Sequence, residues 1–211
     1  ESEKVLEIFR QKGFRVDNHT VYFTEKSIEQ AVEAAPECFT IRARNLKNNL
    51  KVGGVNFAFA PTGIAPFFME ASGAQRAATS ADCINFLKLA QSFDVIGYNR
   101  QAVLAADIPQ EGNSLWHLLG EIKYTDKPCQ IYDEYCLQLV CTAFGITPRK
   151  MKEDGEQGIH YALGGVNPVS PLFLTAEQSD RLLLLAEHKV PVVIASMPTA
   201  GMSAPCTLPG L

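Results

Sequence analysis

Residues Gly164 to Leu172 have the sequence GGVNPVSPL, and this stretch decides which fold the chain is expected to adopt. It holds two Gly, two Pro, an Asn and a Ser, residues that together favour a loop. The preceding run HYAL, residues 160–163, predicts a strand, and Thr175 predicts a helix cap. A strand that ends in a polar loop before a helix is typical of parallel α/β proteins, which carry their chemistry on such loops.

The same arrangement follows at once. Residues 191–195, PVVIA, form a continuous apolar run, as expected of a strand buried on both faces. They lead into the loop 196–201, SMPTAG. Two consecutive strand ends with polar loops therefore predict a functional site at one edge of the sheet.

Strand and helix patterns alternate throughout the second part of the chain. Strands are predicted at 55–60, 95–99, 129–132, 160–163 and 191–195, with an irregular excursion at 64–76. Helices are predicted at about 79–93, 112–124, 134–144 and 175–188. The alternation indicates a parallel sheet with right-handed crossovers. An open doubly wound sheet and a TIM barrel both fit this pattern, although five units are too few to close an eight-stranded barrel.

The first part of the chain has a different pattern. A helical stripe stops at Gly13, and a hairpin is predicted over 14–23. Thr24 predicts the cap of a second helix, which Pro36 closes, and a second hairpin is predicted over 40–52. Residues 1–54 are therefore predicted to form an N-terminal α+β segment.

Composition excludes several classes of function. The chain has 211 residues and a formal net charge of −4 with mixed signs, so no nucleic-acid partner is expected. No apolar run approaches the roughly 20 residues that span a bilayer, so no membrane partner is expected either. The six cysteines include no C-x-x-C pair. We interpret them as reduced thiols of a cytoplasmic protein, without a metal site.

Several motifs, taken in order, resemble those of the trimethylamine methyltransferase family. They are GFRV at 13–16, AAPECF at 34–39, EASGAQR at 70–76, TDKP at 125–128, SPL at 170–172 and AGMSAPCTLPG at 200–210. Their order and spacing, more than any single motif, carry the resemblance, which spans nearly the whole chain.

The resemblance implies a fold and an activity. Members of that family are TIM barrels of well over twice this length. They move a methyl group from a methylamine, or from a quaternary amine such as glycine betaine, to the cobalt of a separate corrinoid protein. By this comparison the fold class is α/β, a partial TIM (β/α)8 barrel over 55–211 that follows the α+β segment 1–54. The corrinoid cofactor is carried by the partner protein and is not bound covalently to this chain. Exposed sheet edges would then favour a homo-oligomer.

The implied chemistry selects the candidate site residues. A quaternary ammonium accepts no hydrogen bond, so aromatic faces and carboxylates must recognise it. A betaine adds a carboxylate, for which Arg or backbone N–H groups are suitable partners. Residues of these kinds follow the predicted strands, and the candidates for substrate binding are Tyr98, Asn99, Arg100, Tyr132, Asp133, Glu134, Asn167, Ser170, Met197 and Thr199. No side chain is assigned as catalytic, because the methyl acceptor is itself the nucleophile.

Structural interpretations of these residues stay open at this point. Asp133 and Glu134 could charge a helix N-terminus, Arg100 could pair with Asp107, and Asn167 and Ser170 could form turns. Two other functions also stay open. One is a non-catalytic quaternary-amine binding protein on the same fold, and the other is a TIM-barrel lyase or aldolase. The latter ranks last because Lys127 and Lys189 precede their strands, at the wrong face of a barrel.

Overall fold

A computed structural model describes residues 2–61, 63–169 and 172–195, together with Gly201 and Cys206. These residues form a mixed α/β structure. The helices are α1 (Glu3–Gln11), α2 (Glu25–Glu33), α3 (Ser80–Ser92), α4 (Asn113–Tyr124), α5 (Glu134–Phe144), α6 (Pro148–Glu156) and α7 (Ala176–Glu187). The strands are β1 (Arg15–Asp17), β2 (Thr20–Tyr22), β3 (Cys38–Ile41), β4 (Leu50–Gly53), β5 (Phe67–Met69), β6 (Gln75–Ala77), β7 (Gln130–Ile131), β8 (Ile159–His160), β9 (Leu163–Val166) and β10 (Val192–Ile194). Within this part of the chain, no helix is long and apolar enough to cross a membrane.

The N-terminal elements follow the prediction closely. β1 pairs with β2 and β3 pairs with β4, each as an antiparallel hairpin. The side chain of Thr24 accepts a hydrogen bond from the backbone of Ser27 and caps α2, as its position before an amphipathic run indicated. Phe9, Phe14 and Phe23 pack edge to face around α1 and the first hairpin. The division of the chain at residue 54 stays a prediction, because β8 pairs in parallel with β3 and so joins the N-terminal sheet.

A parallel sheet forms the centre of the second part. Its strands lie in the order β10-β9-β7, with Val192 beside Gly164 and Gln130 beside Leu163. Helices α4, α5 and α7 supply the apolar residues that cover it, in one core cluster that includes Leu118, Leu137 and Leu185. This arrangement confirms a parallel sheet with helices packed against it for the last three of the five predicted strands.

Two predicted strands are much shorter than expected. In place of strands at 55–60 and 95–99, the structure has a single parallel bridge between Phe59 and Ile96. The backbone N–H of Asn99 then bonds the carbonyl of Pro128, next to β7. Val55 and Phe57 are 95% and 81% exposed, so the apolar residues that suggested a strand have no neighbour covering them in the described part of the chain. A strand is assigned by its pairing with neighbours, and among the described residues the segment 55–60 pairs only through isolated bridges.

The fourth predicted strand, 160–163, was wrong in its bounds. His160 ends β8, and the strand of the parallel sheet begins only at Leu163 and includes Gly164 and Gly165. These two glycines were interpreted as loop residues. Gly164 is instead required by packing, because a Cβ at this position would lie 2.3 Å from Cδ1 of Leu185 on α7.

The predicted helices agree with the structure within a residue or two. Thr79 and Thr175 form capping boxes for α3 and α7, and Gly145 ends α5 in the left-handed conformation. Helix α6 was not predicted, because Met151 is its only buried residue among those described and gives no apolar period. The excursion 64–76, expected to be irregular, contains the hairpin of β5 and β6. Arg76 holds this hairpin against α3 through Asp82, at 2.6 and 2.9 Å.

The cysteines are free thiols, and four of them are buried. Burial raises the pKa of Cys83 to about 11 and that of Cys136 to about 12, so both stay protonated at neutral pH. Cys83, Cys136 and Cys141 therefore behave as small hydrophobic residues of their helices.

Candidate functional site

A cavity of about 420 Å³ lies where the carboxyl end of β7 meets the first turns of α5 and one face of α7. Three predicted site residues, Tyr132, Asp133 and Glu134, line it. The other lining residues are Ser114, Glu177, Asp180, Arg181 and Leu184. The cavity thus combines an aromatic ring with four carboxylates and one guanidinium.

Helix α7 provides half of this lining through residues at positions 177, 180, 181 and 184. Steps of three, one and three residues place side chains on one face of a helix. The prediction missed this face because it considered only residues that directly follow strands. The signal was present, however, as a charged stripe that follows the Thr175 cap on an otherwise leucine-rich helix.

Tyr132 contributes an uncharged aromatic ring. Its hydroxyl donates to Oε1 of Gln130 at 2.6 Å, which fixes the ring at the end of β7. Burial raises the pKa of Tyr132 well above its ordinary value, and the nearby Glu121 carboxyl adds to this shift while Arg100 and Arg181 oppose it. The phenol therefore stays neutral over the physiological pH range.

Arg181 is the cation of the cavity. Its Nη2 donates to Oε1 of Glu177 at 2.9 Å, and its Nη1 lies 3.5 Å from the carbonyl oxygen of Gly165 on β9. Its Cζ is 5.7 Å from the centroid of the Tyr132 ring. The guanidinium is thus held between the strand end and the aromatic ring, within cation–π distance of Tyr132.

Asp133 and Glu134 were interpreted either as substrate-binding residues or as charges at a helix N-terminus, and both lie at the N-terminus of α5 as well as in the cavity. The Asp133 carboxylate accepts a hydrogen bond from the backbone of Cys136 at 2.8 Å and is the N-cap of α5. Its structural role is therefore established in addition to its place in the cavity. Glu134 is exposed in the first turn of the same helix, where its charge also suits the helix N-terminus.

Four other predicted residues do not line the cavity. Asn99 is fully buried, and its side-chain amide donates to the Thr125 hydroxyl. Tyr98 and Arg100 are half-buried, and Asn167 is exposed, with its backbone carbonyl bonded by Gln178 at 2.6 Å.

The suggested pairing of Arg100 with Asp107 is wrong, since Asp107 instead accepts two hydrogen bonds from Ser80, each of 2.7 Å. The remaining predicted residues, Ser170, Met197 and Thr199, lie outside the described residues.

The charge of the cavity defines what it can bind. Carboxylates outnumber the guanidinium, and a neutral aromatic ring lies among them, an arrangement that suits an organic cation. Within the described ranges, no group of three or more His, Cys, Asp or Glu residues could hold a metal ion. The arrangement therefore favours binding and orientation of a small cationic molecule.

Comparison with known proteins gives consistent results over the whole chain. A family profile described as trimethylamine methyltransferase (MTTB) matches residues 1–211. The chain is 30% identical over 224 residues to a glycine betaine methyltransferase of Desulfitobacterium hafniense. It is 25% identical over 223 residues to an L-carnitine:corrinoid methyltransferase of Eubacterium limosum. It is also 25% identical over 227 residues to the trimethylamine methyltransferase MttB of Desulfitobacterium hafniense.

The alignments cover these relatives only in part. All of the chain aligns in each of the three comparisons, but it covers 44%, 45% and 43% of the respective relatives. The chain therefore spans a little under half the length of the curated relatives it matches.

Proposed function

The chain belongs to the trimethylamine methyltransferase family, and on this premise we propose that it contributes the first part of an enzyme that demethylates a quaternary amine. The observation that carries the proposal is the cavity at the end of β7, where the ring of Tyr132 lies among carboxylates. Relatives named for glycine betaine, L-carnitine and proline betaine support a quaternary amine as the methyl donor.

The side chains of the cavity would divide the recognition of such a donor. The face of Tyr132 would contact the trimethylammonium group, with the carboxylates of Glu134 and Asp180 nearby. Arg181, the one cation among the described lining residues, would face the carboxylate of a betaine. Trimethylamine has no carboxylate, so it would lack the contact with Arg181.

The methyl acceptor would be a corrinoid carried by a separate protein, as the names of two relatives indicate for those proteins. Its Co(I) form supplies the electron pair that displaces the amine, so this chain needs no nucleophilic side chain of its own. The residues of the cavity would bind the donor, exclude water and orient one methyl group. This division of labour agrees with a cavity that is lined by an aromatic ring and carboxylates.

We also propose that the parallel sheet is the first part of a (β/α)8 barrel. The bridge of Phe59 to Ile96, the bond from Asn99 to Pro128 and the β7-β9-β10 ladder place successive segments side by side in chain order. Apolar residues are exposed at both ends of this series, including Phe57 at 81% and Ile194 at 64%. Further strands that add to these two edges would cover them and complete a barrel.

The proposal is tested by substituting the aromatic ring in the whole protein. Tyr132→Leu removes the face that contacts the cation and is expected to raise KM for glycine betaine about 3- to 30-fold, the range of a cation–π contact. Tyr132→Phe keeps the face and removes only the bond to Gln130, so its KM is expected to stay close to that of the unmodified protein. Tyr135→Leu is the matched control, because Tyr135 is 71% exposed and does not line the cavity.

The assay follows methylation of Co(I) cobalamin with glycine betaine, L-carnitine and trimethylamine as donors. A KM unchanged by Tyr132→Leu would place the donor elsewhere. Binding of a betaine without any methyl transfer would instead indicate a non-catalytic quaternary-amine binding protein.

A further inference from the structure

Helix α4 carries a stripe of buried polar side chains that the proposed function does not use. Asn113, His117, Glu121 and Thr125 are spaced four residues apart and are at most 6% exposed. Side chains at this spacing lie in one row along a helix. A helix that packs against a sheet normally presents an apolar row there, and α4 carries this buried polar row in addition to its core residue Leu118.

Several atoms of this stripe have no partner in the described part of the protein. The Asn113 side chain accepts from Gln101 at 2.9 Å, but its Nδ2 makes no hydrogen bond. Neither carboxyl oxygen of Glu121 makes one, although Nδ1 of His117 lies 3.3 Å from Oε1. The backbone N–H of Gln130 faces the same carboxyl without completing a hydrogen bond. Almost all buried polar atoms in proteins form a hydrogen bond, either to a protein group or to ordered water.

A small cavity of about 10 Å³ lies against Glu121, with room for about one water molecule. Its lining is partly polar, with Glu121, Thr125 and the thiol of Cys129 beside apolar residues of α5. Its two cations are already engaged, because Arg44 donates to the carbonyls of Ile122 and Thr125 and Lys127 donates to those of Ala90 and Phe93. The charge of Glu121 therefore has no counter-ion that is free to neutralise it.

We propose that this stripe is an internal hydration site, in which a water molecule fills the small cavity and binds a Glu121 carboxyl that keeps its proton at neutral pH. The neutral acid can donate one hydrogen bond to the water and accept another, which satisfies the two oxygens that the protein leaves open. The titratable or charged groups that face it are His117, Arg44, Lys127, Cys129, Tyr132 and Tyr161.

Burial also favours the neutral form of both members of the pair. It raises the pKa of Glu121 to about 8, the backbone N–H of Gln130 acting in the opposite direction, and lowers the pKa of His117 to about 4. An ion pair of the two would have to place both charges in a site without further partners. The geometry thus points to an uncharged, hydrated pair.

Infrared spectroscopy of the unmodified protein tests the proton. A carbonyl band of a neutral carboxylic acid is expected at pH 7, and it should disappear as the pH is raised past 8. Glu121→Gln should remove this band, whereas Glu153→Gln should not, because Glu153 is half-exposed and paired with Arg149. A spectrum at pH 7 with no band that depends on Glu121 would overturn the proposal.

A crystal structure of the same protein tests the water. One ordered water is expected within hydrogen-bonding distance of the Glu121 carboxyl, and it should be retained in Glu121→Gln but lost in Glu121→Leu. If the leucine variant does not fold, the presence or absence of the water in the structure of the unmodified protein is the test. A dry cavity there, or both oxygens bonded directly by Gln130 and His117, would show that no hydration site exists.

Discussion

Substitution of Gly164 by alanine probes how closely α7 approaches the sheet. The added Cβ would lie 2.3 Å from Cδ1, 3.0 Å from Cδ2 and 3.2 Å from Cγ of Leu185, a side chain that is completely buried. The adjacent Gly165 is a matched control on the same strand. A Cβ there meets only the amide of Gln130, at 3.9 Å.

The expected free energies of unfolding follow from these distances. Overpacking typically costs about 1–3 kcal/mol, from which the stiffer alanine backbone recovers roughly 0.5–1 kcal/mol. Gly164→Ala is therefore expected to lose up to about 2.5 kcal/mol, while Gly165→Ala should be neutral or slightly stabilising. Leu185→Ala alone should lose about 3 kcal/mol or more, because it leaves a cavity in the core.

The double variant Gly164→Ala with Leu185→Ala separates the two causes. Removal of the leucine relieves the clash, and the new methyl group fills part of the cavity. The loss should therefore be smaller than the sum of the single losses by about 1–2 kcal/mol. Urea unfolding followed by circular dichroism measures all four variants. Additive losses, or equal effects at 164 and 165, would refute the packing that we describe.

Three further predictions concern the site, its pH dependence and assembly. Asp133→Asn should keep the cap of α5 and its stability, whereas Asp133→Ala should lose about 1 kcal/mol by thermal unfolding; a drop in betaine affinity in both would assign the charge to binding. The pKa of Glu121 is raised in the folded state, so the contribution of Glu121 to stability falls as pH rises from about 4.5 to about 8. The pKa of His117 is lowered, so the contribution of His117 to stability rises as pH rises from about 4 to about 6.5. The two slopes oppose each other below pH 6.5, so unfolding measured against pH should show a decline between about 6.5 and 8 that Glu121→Gln abolishes. The isolated 211-residue chain should self-associate through its exposed apolar edges and lack methyl transfer; a monomer by light scattering that is fully active would contradict this.

Helices could be predicted because their signals are local. Thr79 and Thr175 each bond an amide three residues away, and Gly145 ends α5 through its own backbone conformation. Such features are written within a few residues of sequence. The strands could not be bounded in this way, because His160 belongs to β8 only through its partner Ile41, far away in the chain.

The sequence predicted only part of the candidate site, because some of its residues come together only in the folded chain. Tyr132, Asp133 and Glu134 follow a strand, and the carboxyl ends of parallel strands are where sites form. Glu177 and Arg181 lie on a helix face that becomes part of a cavity only when α7 packs on β9. The sequence could not show the environment of Asn99, because a strand-end asparagine looks the same in sequence whether it faces a ligand or, as in the structure, the hydroxyl of Thr125.

The pairing of β3 with β8 has a consequence for how this chain is synthesised. Thr40 meets Ile159, about 120 residues later in the sequence. At translation rates of roughly 5–20 residues per second, β3 leaves the ribosome on the order of 10 s before its partner exists. During that interval the edge of β3 that later pairs with β8 is open, and an isolated hairpin is marginally stable. The N-terminal sheet is therefore completed late, although its residues are made first, and a nascent chain at this stage would be a natural client for a chaperone.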